Sequence, residues 1–112
     1  MDLDDVRELV ARLPATSESP HFDLTSFRVG TKIFATAPLD GDHVRIFVDE
    51  GEVAACVEED PATFEALRWG QRVAGVAVRL AAADPTRVDE LLEDSWRRRA
   101  PKRVVAAFDA AS

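Results

Sequence analysis

The stretch Phe27-Arg28-Val29-Gly30-Thr31-Lys32-Ile33-Phe34-Ala35-Thr36-Ala37 decides how this chain is read. Two short β-prone runs flank Gly30-Thr31, and glycine supplies the positive φ of a tight hairpin turn without a side-chain clash. Side chains alternate along a strand, so Phe27, Val29, Ile33 and Ala35 are expected on one buried face. Pro38 ends the second run, because proline cannot donate to a ladder. Asp40-Gly41 is the next turn signal. His43-Val44-Arg45-Ile46-Phe47-Val48 then alternates as a third strand, with Val44, Ile46 and Val48 on one face and Arg45 and Phe47 on the other. A three-stranded antiparallel meander is the expectation.

The flanking sequence supplies the cover for that sheet. Leu3, Val6, Leu9, Val10 and Leu13 recur at helical spacing, behind Asp2, Asp4 and Asp5 at the positive end of the helix dipole. Pro14 ends this helix. Residues 14–26 are rich in turn formers and are expected as a long loop anchored by Phe22 and Leu24. Residues 50–59 are expected as a short helix with Val53, Ala54 and Val57 inward and Cys56 beside them. Asp60-Pro61 has the form of a cap followed by proline at the first helical position. Phe64–Trp69 fits a helical turn or a strand, and Gly70 breaks it. Arg72–Leu80 reads as a strand with Val76, Val78 and Leu80 on one face and Gly75 at a bulge. Asp84-Pro85 opens a helix through Arg98 with the stripe Val88, Leu91, Leu92 and Trp96, and Pro101 starts another with Val104, Val105 and Phe108 inward. Together these elements predict one α+β domain over residues 1–112, an antiparallel sheet packed against N- and C-terminal helices in two layers.

With 112 residues, 46% of them hydrophobic and 31% charged, the chain has the composition of an ordinary soluble domain. A chain of this length buries enough surface to stand without disulfides or a structural metal. Cys56 is the only cysteine, which fits a reducing cytoplasm. The acidic start Met1-Asp2-Leu3-Asp4-Asp5 lacks the pattern of a signal peptide, and the apolar run Val73–Leu80 is too short to span a bilayer. The expected location is therefore the cytoplasm, away from the membrane. The net charge of −7 is uneven: residues 95–112 set five cations against Asp109 alone, so the strong acidity lies in residues 1–94. An acidic total argues against non-specific binding of polyanions.

The chemistry-bearing residues are sparse. His21, His43 and Cys56 share no metal-ligand spacing, and no nucleophile–base pair stands out, so neither an enzyme nor a cofactor is expected. Val29-Gly30-Thr31-Lys32 lacks the frame of a phosphate loop. The acidic groups on the first helix and at Glu58-Glu59-Asp60 read as solvated faces. Arg97-Arg98-Arg99-Ala100-Pro101-Lys102-Arg103 is the strongest binding candidate. Arg98, Arg99, Lys102 and Arg103, joined by Arg28 and Lys32 of the hairpin, are the expected contacts to a DNA backbone. The competing account is helix electrostatics, with the same cations paired to Glu90, Glu93 and Asp94. The alternative to a DNA module is a small-molecule or metal-ion site in the loop around Glu18 and His21.

The residues also resemble a known family, the bacterial MmcQ/YjbR-like proteins. The resemblance is carried by Leu13-Pro14, by Glu18 with Pro20-His21-Phe22, and by Phe27-Arg28-Val29-Gly30 running into Lys32-Ile33-Phe34-Ala35. Trp69, the strand closing at Leu80 and Asp94-Ser95-Trp96 continue it, with Trp96 where tyrosine is usual. It implies a compact α+β fold similar to the CyaY (frataxin-like) arrangement and the family's description as DNA-binding.

Overall fold

The elements follow one another as α1 (Leu3–Ala11), β1 (Thr16–His21), β2 (Leu24–Val29), β3 (Lys32–Pro38), β4 (His43–Ile46), α2 (Glu50–Glu59), β5 (Phe64–Trp69), β6 (Arg72–Arg79), α3 (Pro85–Arg99) and α4 (Lys102–Ala111). The structure, a computed structural model, describes residues 1–111, and Ser112 lies outside them. Six strands form one antiparallel sheet in the order β1-β2-β3-β4-β6-β5. The expected meander is present and is extended by β1 on one side. On the other side β6 pairs with β4 and carries β5 at the edge.

Cross-strand partners share a face, so two rows of partners define the two sides of the sheet. Glu18, Phe27, Ala35, Ile46, Val76 and Ala66 form the row facing the helices. Four of its members, Phe27, Ala35, Ile46 and Val76, are buried in one core with Val6 of α1, Val53 and Cys56 of α2, and Leu91, Leu92 and Trp96 of α3. Trp96 is fully buried, and its indole N–H donates to the Pro14 carbonyl at 3.0 Å, which ties α3 to the end of the first helix. The opposite row, Ser19, Ser26, Thr36, Arg45, Ala77 and Glu65, is polar except at Ala77, and among the described residues no helix covers it.

The structure corrects four expectations. Residues 14–26 are not a loop: Thr16–His21 is an edge strand, and only Phe22-Asp23 turns into β2. An edge position tolerates Pro20 and the polar Ser-Glu-Ser run, because one side of the strand needs no ladder partner. Ile33 does not share a face with Phe27 and Val29. The ladder pairs Phe27 with Ala35 but Arg28 with Ile33, leaving Phe34 as an extra residue on β3. This bulge turns Phe34 into the core and Ile33 onto the open face. Asp60-Pro61 starts no helix: Asp60 closes α2 and holds a turn through Ala62 N–H and the Thr63 hydroxyl. Ala54 is exposed, and the inward positions of α2 are Val53 and Cys56, with Val57 packed half-buried against the core.

Gly30 takes φ 59 at the hairpin turn, as its place in the sequence requires. Gly75 answers a different demand. A Cβ there would overlap the Ile46 carbonyl oxygen of the neighbouring strand and lie 3.0 Å from Phe47 Cα.

Candidate functional site

The six-residue polar row forms the floor of an open face, and β4 controls its shape. β4 stops at Ile46, while Phe47 N–H still donates to the Phe34 carbonyl. Where the strand ends, the last turn of α3 reaches past it. The Arg99 guanidinium donates to the Phe47 carbonyl at 3.1 Å and stacks over the Phe47 ring at 5.4 Å. Phe47 in turn meets Trp69 of β5, ring centroids 5.5 Å apart. Trp69 is 60% exposed although it is among the largest side chains in the protein. Burial, and then the neighbouring Arg98 charge, lower the pKa of Arg99 from the ordinary arginine value.

These residues wall a cavity of about 370 Å³, with His21, Phe22, Leu24 and the one carboxylate of the lining, Asp23, on one side, Ile33, Thr36 and Arg45 on the floor, and Leu67, Trp69 and Arg99 on the other. That volume lies at the small end of ordinary ligand sites. Phe47, Trp69 and Arg99 also wall a second recess of about 550 Å³ that continues over Arg72, Val73, Asp49 and Arg98. At the other end of the open face, Asp42 holds His43 Nδ1 at 2.9 Å, and Arg45 Nε donates to His43 Nε2 at 3.1 Å. This chain of hydrogen bonds orients Arg45 across the sheet.

Charge is segregated between the layers. All but five of the 21 carboxylates sit on the helices or their caps, the five being Glu18, Asp23, Asp40, Asp42 and Glu65. Arg28, Arg45, Arg79 and Arg99 reach the open side of the sheet, with Glu65 the acidic member of its central row. The acidity of the whole chain therefore describes the helical layer.

The basic run of α3 and α4 does not act as a block. Arg97 pairs with Asp109 at 2.7 Å and Glu93 at 3.0 Å, and Asp109 first, then Glu93, push its pKa up. Arg98 pairs with Asp49 at 2.8 Å and Asp94 at 3.3 Å; burial opposes its charge, and the two carboxylates outweigh that and raise its pKa. Helix and interlayer electrostatics thus account for these two. Arg99 turns to the open face, whereas Lys102 and Arg103 are exposed on the first turn of α4. Arg28 lies on the open face with Nε donating to Ser26 Oγ, and Lys32 is exposed beside the hairpin turn. The six candidates thus divide among three places.

Glu18 and His21 do not converge either. Glu18 faces the helices, gripped by Arg7 Nε and Nη2 and by the Thr25 hydroxyl at 2.6 Å. His21, three residues on, belongs to the cavity on the opposite side. Among the described residues no group of three or more His, Cys, Asp or Glu side chains is placed to hold a metal ion. Cys56 is buried against Arg87, whose Nη2 lies 3.3 Å from its sulfur. Burial raises the thiol pKa, and Arg87 opposes that rise. No helix among the described residues is long and apolar enough to cross a membrane.

Sequence reasoning missed Phe22, Trp69 and Arg45 as site residues. For Arg45 a signal existed, since the alternation of the third strand already placed Arg45 and Phe47 together on the face away from the core.

Comparison with known proteins gives this architecture relatives. The YjbR family model matches residues 11–98. The uncharacterized protein Rv2570 of Mycobacterium tuberculosis is 32% identical, the alignment covering 97% of this chain and 96% of that protein. The uncharacterized protein Mb2600 of Mycobacterium bovis matches to the same extent. Among solved structures, Deinococcus radiodurans protein DR2400, a DUF419 domain, superposes with a TM-score of 0.75 at 21% identity, covering 85% of this chain and 75% of that one. The last match concerns the fold alone.

Proposed function

We propose, from the premise that the chain belongs to the YjbR family, that it is a non-enzymatic cytoplasmic protein that binds nucleic acid in single-stranded form on the open face of its sheet. One observation carries the reading: Arg99 is held half-buried over Phe47, beside the exposed Trp69 and above Arg45, all around one cavity. Cations beside an exposed aromatic surface are what an unpaired strand uses, phosphate on the guanidinium groups and a base on the ring. A duplex keeps its bases stacked inside, so the concavity between Phe22 and Trp69 favours a single strand. The acidic total is compatible with this, because the carboxylates crowd the helical layer and their fields are screened beyond about 10 Å. The family resemblance implies a frataxin-like arrangement, and no chemistry is carried over from that likeness.

The test is fluorescence anisotropy with labelled single-stranded and duplex DNA at low and near-physiological salt. Variants are Arg45→Glu, and Lys102→Glu with Arg103→Glu. The expected result is preference for the single strand, with log K falling against log salt at a slope of about −2 for three phosphate contacts. Arg45→Glu weakens binding at least tenfold, while the α4 pair changes it little. Absence of binding at low salt, or loss confined to the α4 pair, overturns the reading.

A further inference from the structure

The two edges of the sheet are finished differently. β1 closes one side and carries two features that discourage a further strand: Pro20 offers no N–H, and the charge of Glu18 is turned inward to Arg7. β5 closes the other side and has neither. Phe64–Trp69 contains no proline, and the irregularity beside it lies in β6, where Leu67 pairs with Gly75 and Arg68 with Val73. The Thr63 carbonyl accepts from Arg79 N–H at 2.9 Å, so alternation turns the backbone groups of Thr63, Glu65 and Leu67 toward β6. Ala66 and Arg68 turn theirs to the free edge. An edge left open in this way is a template for another strand.

We infer that β5 pairs antiparallel with β5 of a second copy of this chain, about a two-fold axis at Leu67. Strand partners share a face, so the axis stands perpendicular to the sheet and passes through a residue. Of the four inner residues of β5, Glu65 and Arg68 would each oppose a like charge there. An axis at Ala66 needs the Phe64 N–H, which already donates to the Asp60 carbonyl at 3.0 Å. An axis at Leu67 pairs Ala66 with the second copy's Arg68 and satisfies the outward N–H and C=O groups of both. On the open face the two Leu67 side chains then meet. Glu65 stands opposite the second copy's Trp69 and next to Arg72, the β6 partner of that tryptophan. On the helical side, Arg68 comes beside the second copy's α2, which packs on β5 and ends in Glu58-Glu59. Charges are thus complementary on both faces. The pairing sets two copies of the Phe47–Trp69–Arg99 cluster on one continuous sheet, whatever that face binds.

The test is sedimentation equilibrium of the full chain without nucleic acid, from about 5 to about 500 μM. A reversible monomer–dimer equilibrium is expected, weak because edge pairing lies at the low end of interface sizes. Leu67 is only half-buried, so Leu67→Lys and Leu67→Glu keep the fold. Each sets its new charge against itself across the axis and weakens the dimer about tenfold or more. An equal mixture of the two restores it, because only a residue on the axis meets its own counterpart. A wild type that stays monomeric or assembles beyond the dimer overturns the inference. So does a dimer that neither substitution weakens, or a mixture that stays monomeric. Amide hydrogen exchange decides the matter on the unmodified chain, even where a variant melts early. The Ala66 and Arg68 amides should be protected at the high concentration and exchange on dilution, while the Leu67 amide, turned to β6, stays protected at both. Equal exchange of Ala66 and Arg68 at the two concentrations overturns the pairing.

Discussion

Replacing Gly75 by alanine separates two physical effects of opposite sign. Gly75 lies in β6 with ordinary backbone angles, so an alanine there without a steric conflict would stabilise the protein by about 0.4–1 kcal/mol through the unfolded chain. The structure instead puts the new Cβ into the Ile46 carbonyl oxygen and 3.0 Å from both the Ile46 carbonyl carbon and Phe47 Cα. All three are backbone atoms at the end of the neighbouring strand, so no side-chain rotation relieves the overlap. Restoring ordinary contact requires β6 to move away from β4 by roughly 1 Å in a ladder whose normal spacing is about 4.8 Å. The hydrogen bonds around the Ile46–Val76 pair then stretch, at about 1 kcal/mol each. Repacking of Ile46 and Val76, both fully buried, adds roughly 1–3 kcal/mol. The expected loss is about 3 kcal/mol, a large share of the ~5–15 kcal/mol typical of a domain. In urea that is a fall in midpoint of about 2 M at an m-value of roughly 1.5 kcal/mol/M. A midpoint within about 0.5 M of wild type, or above it, would refute the close approach of β4 and β6 as the reason for this glycine. Because Phe47 follows Ile46, the same variant should also shift the emission of Trp69.

Further outcomes test the other joints of the structure. Ser95→Ala removes the buried hydroxyl that donates to the Phe34 carbonyl at 2.7 Å, and urea denaturation should show a loss of about 1 kcal/mol; a neutral change would mean that this bond does not pin α3 to the bulge. Phe22→Asn should gain about 1 kcal/mol from relief of the left-handed backbone, a melting temperature higher by roughly 4 °C, and a decrease would contradict the strain. Arg7, and then Thr25, hold the Glu18 pKa below its usual value of 4.5, so the folded state binds that proton less readily than the unfolded chain does. That contribution is present above pH 4.5 and is lost as pH falls through the lowered value; melting curves of Glu18→Gln and wild type should therefore differ most at neutral pH and converge in acid. Cys56, buried and with its thiol pKa raised, should react with an aromatic disulfide reagent only as fast as the protein opens, and rapid labelling of native protein would place the sulfur at the surface.

The parts of the fold that the sequence shows are those where one physical signal dominates. Helical spacing of Leu3, Val6, Leu9 and Val10 behind a capping Asp2 produced a helix within two residues of the expected ends. Asp84-Pro85 opened α3, and alternation placed Val44, Ile46 and Val48 inward. The misreadings occur where tertiary context overrides a local pattern. β1 has no apolar alternation because one of its edges is free and one of its faces is polar, so its composition imitates a loop. The bulge at Phe34 is invisible in Lys32-Ile33-Phe34-Ala35, yet it reverses which of two neighbouring apolar residues is buried. The exchange of β5 and β6 in the sheet order depends on where α2 packs, and Val53 and Cys56 alone do not determine that.

The candidate site shows why net charge is a poor guide to a surface. Reading charge along the chain makes the segment after residue 94 the basic feature, and the fold undoes that feature in three ways. Arg97 and Arg98 are neutralised by Asp109, Glu93, Asp49 and Asp94; Arg99 crosses to the other side of the molecule; Lys102 and Arg103 stay behind on α4. Meanwhile Arg28, Arg45 and Arg79, far apart in the sequence, come onto one face because antiparallel pairing puts every second residue of neighbouring strands on the same side. Linear spacing carries no record of that convergence, but strand parity does. Once Arg45 and Phe47 are assigned away from the core, any strand that pairs with theirs must set its own outward residues beside them. Trp69 and Phe22 lie at opposite ends of that face, where β5 ends and the β1–β2 hairpin turns, and neither ring is covered by the core.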